Sequence, residues 1–266
     1  MVAGIDDSVP HSARIWNHWI GGKDNYPIDR EMGDRIAESY PQIKKQAVAD
    51  RAFIGRAVRY LAQDEGVRDF LDIGTGLPTV DNTHEVAQRV APESRIMYVD
   101  NDPLVLTHAR ALLTSTKAGR CEYLDADVHD TDAILAAARR MLDFTRPVAI
   151  MLVGILHHVG DTEESYRIVR RLADALPSGG FLVINHATYA VFGEASENAA
   201  RQYNDAGGRP PVTLRSPEEI LRYFDGLDLV EPGLVSCAHW RPDPMDIATW
   251  GAPDEVDEFA GIARKP

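Results

Sequence analysis

Val67-Arg68-Asp69-Phe70-Leu71-Asp72-Ile73-Gly74-Thr75-Gly76 is a short apolar run that ends in a glycine-rich turn, and a stretch of helical spacing follows it. At a strand-to-helix corner, glycines let the chain turn sharply and let a ligand approach the backbone. An ordinary tight turn has the same letters, so the reading rests on what surrounds it. Downstream, apolar runs of strand length alternate with helical patterns. Residues 80–90 read as a helix stopped by Pro92, and 95–99 as a strand ending in Asp100-Asn101-Asp102-Pro103. The pattern repeats with a helix over 104–113, a strand over 121–124, a helix over 131–140, a strand over 147–156, a helix over 162–176 and a strand over 181–185. Such alternation implies right-handed crossovers and a largely parallel sheet. The near-continuous apolar strands imply that both faces of it are covered.

Upstream, residues 1–62 read as a helical segment, and 63–266 as the α/β domain. Ser12 can cap a helix carrying Ile15, Trp16, Trp19 and Ile20, which Gly21-Gly22 breaks. A second helix is expected over 29–39. A third carries Ile43, Ala47, Phe53, Ile54, Ala57, Val58 and Leu61 at helical spacing. Beyond the sheet, 187–205 reads as a loop plus a helix. Ser216-Pro217-Glu218-Glu219 has capping-box spacing with proline at the first helical position. Residues 227–230 and 235–240 are expected as a closing antiparallel pair around Pro232-Gly233, and the last few residues as a biased tail.

The carboxylates give the turn a chemistry. Asp72 precedes the glycines, where a dinucleotide fold avoids a carboxylate because pyrophosphate sits at the helix N-terminus. A ligand bearing an ammonium group suits one. The third glycine of the dinucleotide fingerprint is absent, with Leu77-Pro78 in its neighbourhood instead, which argues against an oxidoreductase. Asp100, ending the second strand, is placed to accept both hydroxyls of a ribose. Asp127 after the third strand can accept from an adenine amino group, with the Val128 backbone N–H beside the ring. Loop aspartates also cap helices, and Asp130 is expected to do only that.

Composition limits the partners. The chain has 266 residues, 44% of them hydrophobic, and a formal net charge of -13. That charge disfavours a nucleic-acid partner. No run approaches the ~20 apolar residues of a membrane span, and the first residues lack a secretory leader pattern. Two isolated cysteines, Cys121 and Cys237, supply neither a disulfide framework nor a zinc spacing, so a reduced, cytoplasmic protein without a metal is expected.

The order Phe70–Gly76, Tyr98-Val99-Asp100-Asn101-Asp102-Pro103 and Asp125-Ala126-Asp127-Val128 is similar to class I S-adenosylmethionine-dependent methyltransferases. The N-terminal stretch from Ser12 to Tyr26, with Leu77-Pro78-Thr79 and Asn82-Thr83-His84-Glu85-Val86-Ala87, resembles an actinobacterial S-adenosyl methyltransferase family formerly classed as a domain of unknown function. The resemblance covers nearly the whole chain. It implies a three-layer Rossmann-like fold with a mostly parallel seven-stranded sheet, its last strand antiparallel, plus an N-terminal helical extension. The implied cofactor is S-adenosyl-L-methionine. Asp72 and Gly74 would face its methionine end, Asp100 would hold the ribose, Asn101 would lie alongside the adenine and Asp127 would take the adenine amino group, with Gly76 and the Val128 N–H also counted among the cofactor-binding groups.

The loop Gly21-Gly22-Lys23-Asp24-Asn25-Tyr26 is polar and permissive, and Lys23, Asn25 and Tyr26 are expected to fold over the cofactor as a lid. Tyr26 or Trp16 can press on the adenine or the sulfonium; a plain helix connection, with Trp16 and Trp19 as core, is the competing reading. His157 and His158 end the fourth strand, and either can take a proton from an acceptor or only shape the pocket. His186 and Tyr189 are pocket candidates on position alone. The expected reaction moves a methyl group to a small neutral or cationic molecule. A non-catalytic cofactor-binding regulator and, further off, a nicotinamide-dependent oxidoreductase are the alternatives.

Overall fold

The computed structural model describes residues 6–79, 81–112 and 114–266. The expected helix bounds at 80 and 113, and the N-terminal residues 1–5, lie outside the described residues. Three helices open the chain: α1 (Ser12–Trp19), α2 (Pro27–Ser39) and α3 (Ile43–Gln63). Five βα units follow. They run β1 (Asp69–Ile73), α4 (Thr83–Val90), β2 (Arg95–Asp100), α5 (Pro103–Leu112), β3 (Arg120–Asp125), α6 (Thr131–Met141), β4 (Val148–Val153), α7 (Thr162–Ala175), β5 (Phe181–Ala187) and α8 (Glu194–Asp205). The chain closes with α9 (Pro217–Leu221), β6 (Asp228–Leu229), β7 (Val235–Ser236), α10 (Pro244–Trp250) and β8 (Glu258–Arg264).

The strand order is β3-β2-β1-β4-β5-β8-β6, with β7 also on β8. Strands β1 to β5 are mutually parallel, and β8 runs antiparallel to β5. The α/β class, the mostly parallel sheet and the antiparallel final strand therefore agree with the expectation. Side chains alternate across the sheet with period two. Leu71, Ile73, Ile150 and Leu182 pack with Ile134, Leu135 and Leu172 on one face. Phe70, Ile96, Met151 and Val183 pack with Phe53, Val58 and Val86 on the other.

The closing segment departs from the expectation. Residues 227–230 and 235–240 do not pair with each other: β6 and β7 each pair with β8, and Cys237–His239 is a short 3-10 turn. The expected tail is instead a strand buried between β5 and β6. Its sequence, Glu258-Phe259-Ala260-Gly261-Ile262-Ala263-Arg264, hides this because it is mostly small residues and opens on a carboxylate. A Cβ on Gly261 would sit 3.1 Å from the Phe224 ring, so the small residue is what lets the strand pack there. The Ser216 capping box forms as expected, with Ser216 N–H donating to Glu219 Oε2 at 2.8 Å and Glu219 N–H to Ser216 Oγ at 3.3 Å.

Candidate active site

The C-terminal ends of β1, β2 and β4 converge on one cleft, as open α/β sheets place their ligand sites. Gly74 N–H donates to Val99 O at 2.8 Å, tying the glycine turn to β2. Gly74 and Gly76 both have positive φ, +77° and +61°. A Cβ at Gly74 would stand 2.5 Å from Ile155 Cβ, so the turn presses against the loop after β4. We expect Gly74→Ala to lower stability by about 1–3 kcal/mol and to open the cleft wall. Urea unfolding checks it, and an unchanged midpoint would contradict the close approach.

Asp100 is the organising side chain. Its Oδ2 accepts from Gly76 N–H and its Oδ1 from Asp102 N–H, each at 2.9 Å. Two backbone donors therefore aim the carboxylate, and each oxygen keeps a lone pair for the cleft. Burial pushes its pKa up to about 6. Asn101 lines the same cleft, and its Nδ2 donates to Asp127 Oδ2 at 2.8 Å. Asp127 also accepts from His129 N–H at 2.9 Å. Burial raises the Asp127 carboxyl, but the hydrogen bonds from His129 and Asn101 outweigh it and hold the group below the usual range. Asp127 and Val128 do not line the cleft themselves; Val128 is in the core beneath it. Asp130 caps α6, accepting from Ala133 N–H, as expected.

Asp72 lies back from the opening. It is buried, and its Oδ2 accepts from Thr83 Oγ1 at 2.6 Å, which ties β1 to α4. Burial pushes it up to about 6. Leu77, near the position of the absent third glycine, is buried with Leu104 and Val105. An apolar plug there replaces the close helix–strand approach that a glycine would allow.

The loop over 21–26 does not reach the cleft. Asn17 Oδ1 accepts from Asp24 N–H and Asn25 Nδ2, both at 2.9 Å, which folds the loop back on α1. Lys23 is exposed, and Tyr26 packs beside Leu77 and under the Arg14 guanidinium, 5.2 Å from its ring centre. The cleft wall on this side is α1 itself, through His11, Ser12, Ala13 and Trp16. Lys23, Asn25 and Tyr26 thus do not line the cleft, and Trp16 does.

The structure adds residues that the sequence reading passed over. Asp50 and Arg51 of α3 line the cleft, with Glu258 from the start of β8. Asn185 Nδ2 donates to Asp50 Oδ1, and Asn185 Oδ1 accepts from Gly154 N–H at 2.6 Å. Gln46 Nε2 donates to Glu258 Oε2 at 2.9 Å, while buried Glu258 Oε1 has no hydrogen-bond partner among the described residues. Burial pushes Asp50 up to about 6, and burial followed by Asp50 pushes Glu258 well above the ordinary carboxylate range. A signal existed: Asp50 follows Ala47 and precedes Ile54 on the apolar stripe of α3, a position where a carboxylate needs a reason.

His157 and His158 sit in a short 3-10 turn, Leu156–His158, just after β4. His158 lines the cleft, and its Nδ1 lies 3.0 Å from Pro211 O. A carbonyl only accepts, so that nitrogen carries the proton and Nε2 is left as an acceptor. Burial pushes His158 down to about 4 and holds His157 well below its ordinary value. Both are neutral imidazoles at pH 7. His186 is not a pocket residue. It is fully buried, with Nδ1 2.7 Å from Ala187 O and Nε2 2.8 Å from Arg215 Nη1. Tyr189 lines neither this cleft nor the apolar cavity beside it.

The residues present suit a nucleoside bearing a cationic amino-acid tail. Asp100 offers two acceptors to a ribose, Leu77 and Ile155 give apolar wall, and the far end holds paired carboxylates, one oxygen of which is unpartnered. Among the described residues, no group of three His, Cys, Asp or Glu is placed to hold a metal ion, and no helix is long and apolar enough to cross a membrane.

Comparison with known proteins agrees. The model of the S-adenosyl methyltransferase family matches residues 2–266. A crystal structure of a DUF574 family protein from Streptomyces avermitilis is similar at 45% identity, covering 98% of this chain and 99% of that one, with TM-score 0.92. A Thermobifida fusca crystal structure is similar at 41% identity, covering 99% of this chain and 97% of that one, with TM-score 0.86. The plantazolicin methyltransferase BpumL shares the fold alone, at 12% identity and TM-score 0.50 over 96% of this chain and 95% of that one. A search of curated proteins finds no match. The chain belongs to the S-adenosyl methyltransferase family and is a class I methyltransferase whose cofactor is S-adenosylmethionine.

Proposed function

We propose that the cleft holds S-adenosylmethionine with its ribose on Asp100, its adenine beside Asn101 and Leu77, and its methionine end toward Gly74, Asp50 and Glu258, and that the methyl goes to a small molecule. The observation that carries this reading is Asp100: it ends β2, is aimed by the N–H groups of Gly76 and Asp102, and lines the cleft with both turn glycines. Asp127 supports the adenine end indirectly, by holding Asn101. Asp72 supports the methionine end from behind, by fixing α4 against β1.

When bound, the cofactor supplies an electrophilic methyl on a cationic sulfur. The chain's own part is alignment and exclusion of water. An acceptor lone pair forms the new bond to the methyl carbon as the carbon–sulfur pair returns to sulfur. In this reading His158 Nε2 accepts a hydrogen bond from the acceptor and guides its proton away as the methyl arrives. Its low basicity makes it a guide for that proton rather than a strong base. The covering role expected of the 21–26 loop passes in this reading to α1. The cytoplasmic setting expected from the sequence is retained, and Cys121 and Cys237 are both free thiols.

Calorimetric titration with S-adenosylmethionine, S-adenosylhomocysteine and NAD tests the reading. Micromolar binding of the first two and none of NAD is expected; the reverse preference would sink it. Asp50→Asn keeps the shape of the Asn185 contact but removes a charge facing the tail. It should weaken S-adenosylmethionine about tenfold, the scale of one charge-assisted hydrogen bond. An unaltered affinity would remove Asp50 from the site.

A further inference from the structure

Beside the cofactor cleft lies a second cavity, walled by α1, α2, α3 and α8 and floored by the end of β5 and by His157 of the turn after β4. Ser12 and Trp16 line both spaces, so the two adjoin along α1. Its walls are apolar and aromatic, led by Ile15, Trp16, Trp19, Ile36 and Val212, and Ala187, Ala199 and Ala200 leave room between them.

The polar groups of this cavity fall into two sets. Most are bound to other protein groups. Asp257 accepts from Val191 N–H, Phe192 N–H and Ser196 Oγ. Tyr40 OH donates to Gln46 Oε1, and Tyr203 OH to Arg209 O. Two are not: His157 Nδ1 and Thr188 Oγ1 are buried and have no hydrogen-bond partner among the described residues. His157 is 2% exposed and Thr188 1%. Buried polar atoms are nearly always paired, and orphaned ones mark a missing partner. Among the described residues no lysine or arginine lines the cavity, and its one carboxylate, Asp257, already accepts three hydrogen bonds. A charged guest would lose its hydration with nothing to replace it.

We infer that this cavity is the methyl-acceptor site and that its occupant is a neutral, flat, largely aromatic molecule carrying a hydroxyl or similar group that bonds to Thr188 Oγ1 and His157 Nδ1. The inference rests on the methyltransferase reading above and narrows its acceptor, excluding the cationic acceptor that composition alone left open. The aromatic walls select a planar apolar body, and the two unpartnered atoms hold a polar group of it. A neutral imidazole suits this task, since it can accept from or donate to an uncharged partner.

The test is calorimetric titration of 2-naphthol into the full chain saturated with S-adenosylhomocysteine, with 2-naphthoate as the charged comparator. Saturable one-to-one binding of 2-naphthol and none of 2-naphthoate is expected. Ala199→Phe and Ala200→Phe, each filling the cavity from α8, should abolish naphthol binding while S-adenosylhomocysteine still binds. Thr188→Val should weaken naphthol about five- to tenfold. Naphthol binding that is absent, that survives both filling variants, or that naphthoate equals would overturn the acceptor assignment with the cofactor site left standing. Failure of S-adenosylhomocysteine to bind the wild-type chain would overturn the methyltransferase reading beneath it.

Discussion

Replacing Asp100 by alanine should weaken S-adenosylhomocysteine binding by at least about a hundredfold. The side chain has two tasks at once. It is the acceptor offered to the ribose, and it holds the Gly76 and Asp102 N–H groups. Each hydrogen bond to a charged group contributes about 1.5–3 kcal/mol, so losing two ribose hydroxyls costs about 3–6 kcal/mol before any relaxation of the turn. Asp100→Asn separates the tasks, because its amide keeps one acceptor oxygen and should fall between. Calorimetry reads both variants; an alanine variant within threefold of wild type would remove Asp100 from the ribose.

The same residue sets a pH dependence. Burial raises its pKa in the free cleft to about 6. Only the ionised form offers both oxygens, so protons compete with the nucleoside. Affinity should be flat above about pH 7 and fall roughly tenfold per unit below pH 6. Asp50, also near 6, would steepen the fall if it faces the tail. His158, pushed down to about 4, stays neutral over this range and adds nothing to the curve between pH 8 and 5. A midpoint near 6.5 that vanished on removing His158 would contradict this assignment.

The largest effect on stability is expected at Arg215. This side chain is 1% exposed and was not signalled by any motif. Its Nη1 donates to Leu156 O at 3.1 Å and to His186 Nε2 at 2.8 Å, and its Nη2 to Val159 O at 2.7 Å. It thus pins both ends of the histidine turn after β4 to the end of β5. It also fixes His186 as the neutral tautomer protonated on Nδ1, and burial pushes that ring down to about 3. Replacing a buried ion by a well-packed apolar group can be neutral when its partners go too. Here the partners are two backbone carbonyls, an imidazole and the Thr162 hydroxyl, and they remain. Arg215→Met should therefore cost about 3–5 kcal/mol and loosen the His157–His158 turn. Urea unfolding gives the first number; a loss below about 1 kcal/mol would mean that water replaces the guanidinium without penalty.

The parts of this molecule that were legible in sequence share a local cause. Apolar period, turn residues and caps act within a few residues of one another, so the order of strands and helices through β5 could be read, and with it the glycine turn and Asp100. The capping box at Ser216 and the cap at Asp130 are equally local. The errors begin where local pattern and long-range pairing disagree. Strands β6 and β7 were readable as extended, but their partner is β8, which lies more than twenty residues further on and has little β-branched character. The loop over 21–26 looked permissive because of its glycines. Asn17, four residues before the first of them, closes it on α1.

By itself, then, the sequence determined the α/β alternation, the glycine corner and the acid at the end of the second strand, and through the family resemblance the cofactor. Those depend on spacing along one or two elements. Only the tertiary structure decided what surrounds that corner. It set Asp72 back against Thr83, brought Asp50 and Glu258 from opposite ends of the chain into one cleft, and left His157 and Thr188 unpartnered beside a cavity made by four helices. The physical reason is that burial and hydrogen-bond satisfaction belong to the whole packing. Whether a carboxylate is tied, paired or open to a ligand is settled by neighbours that may be two hundred residues away in sequence, as Gln46 and Glu258 are.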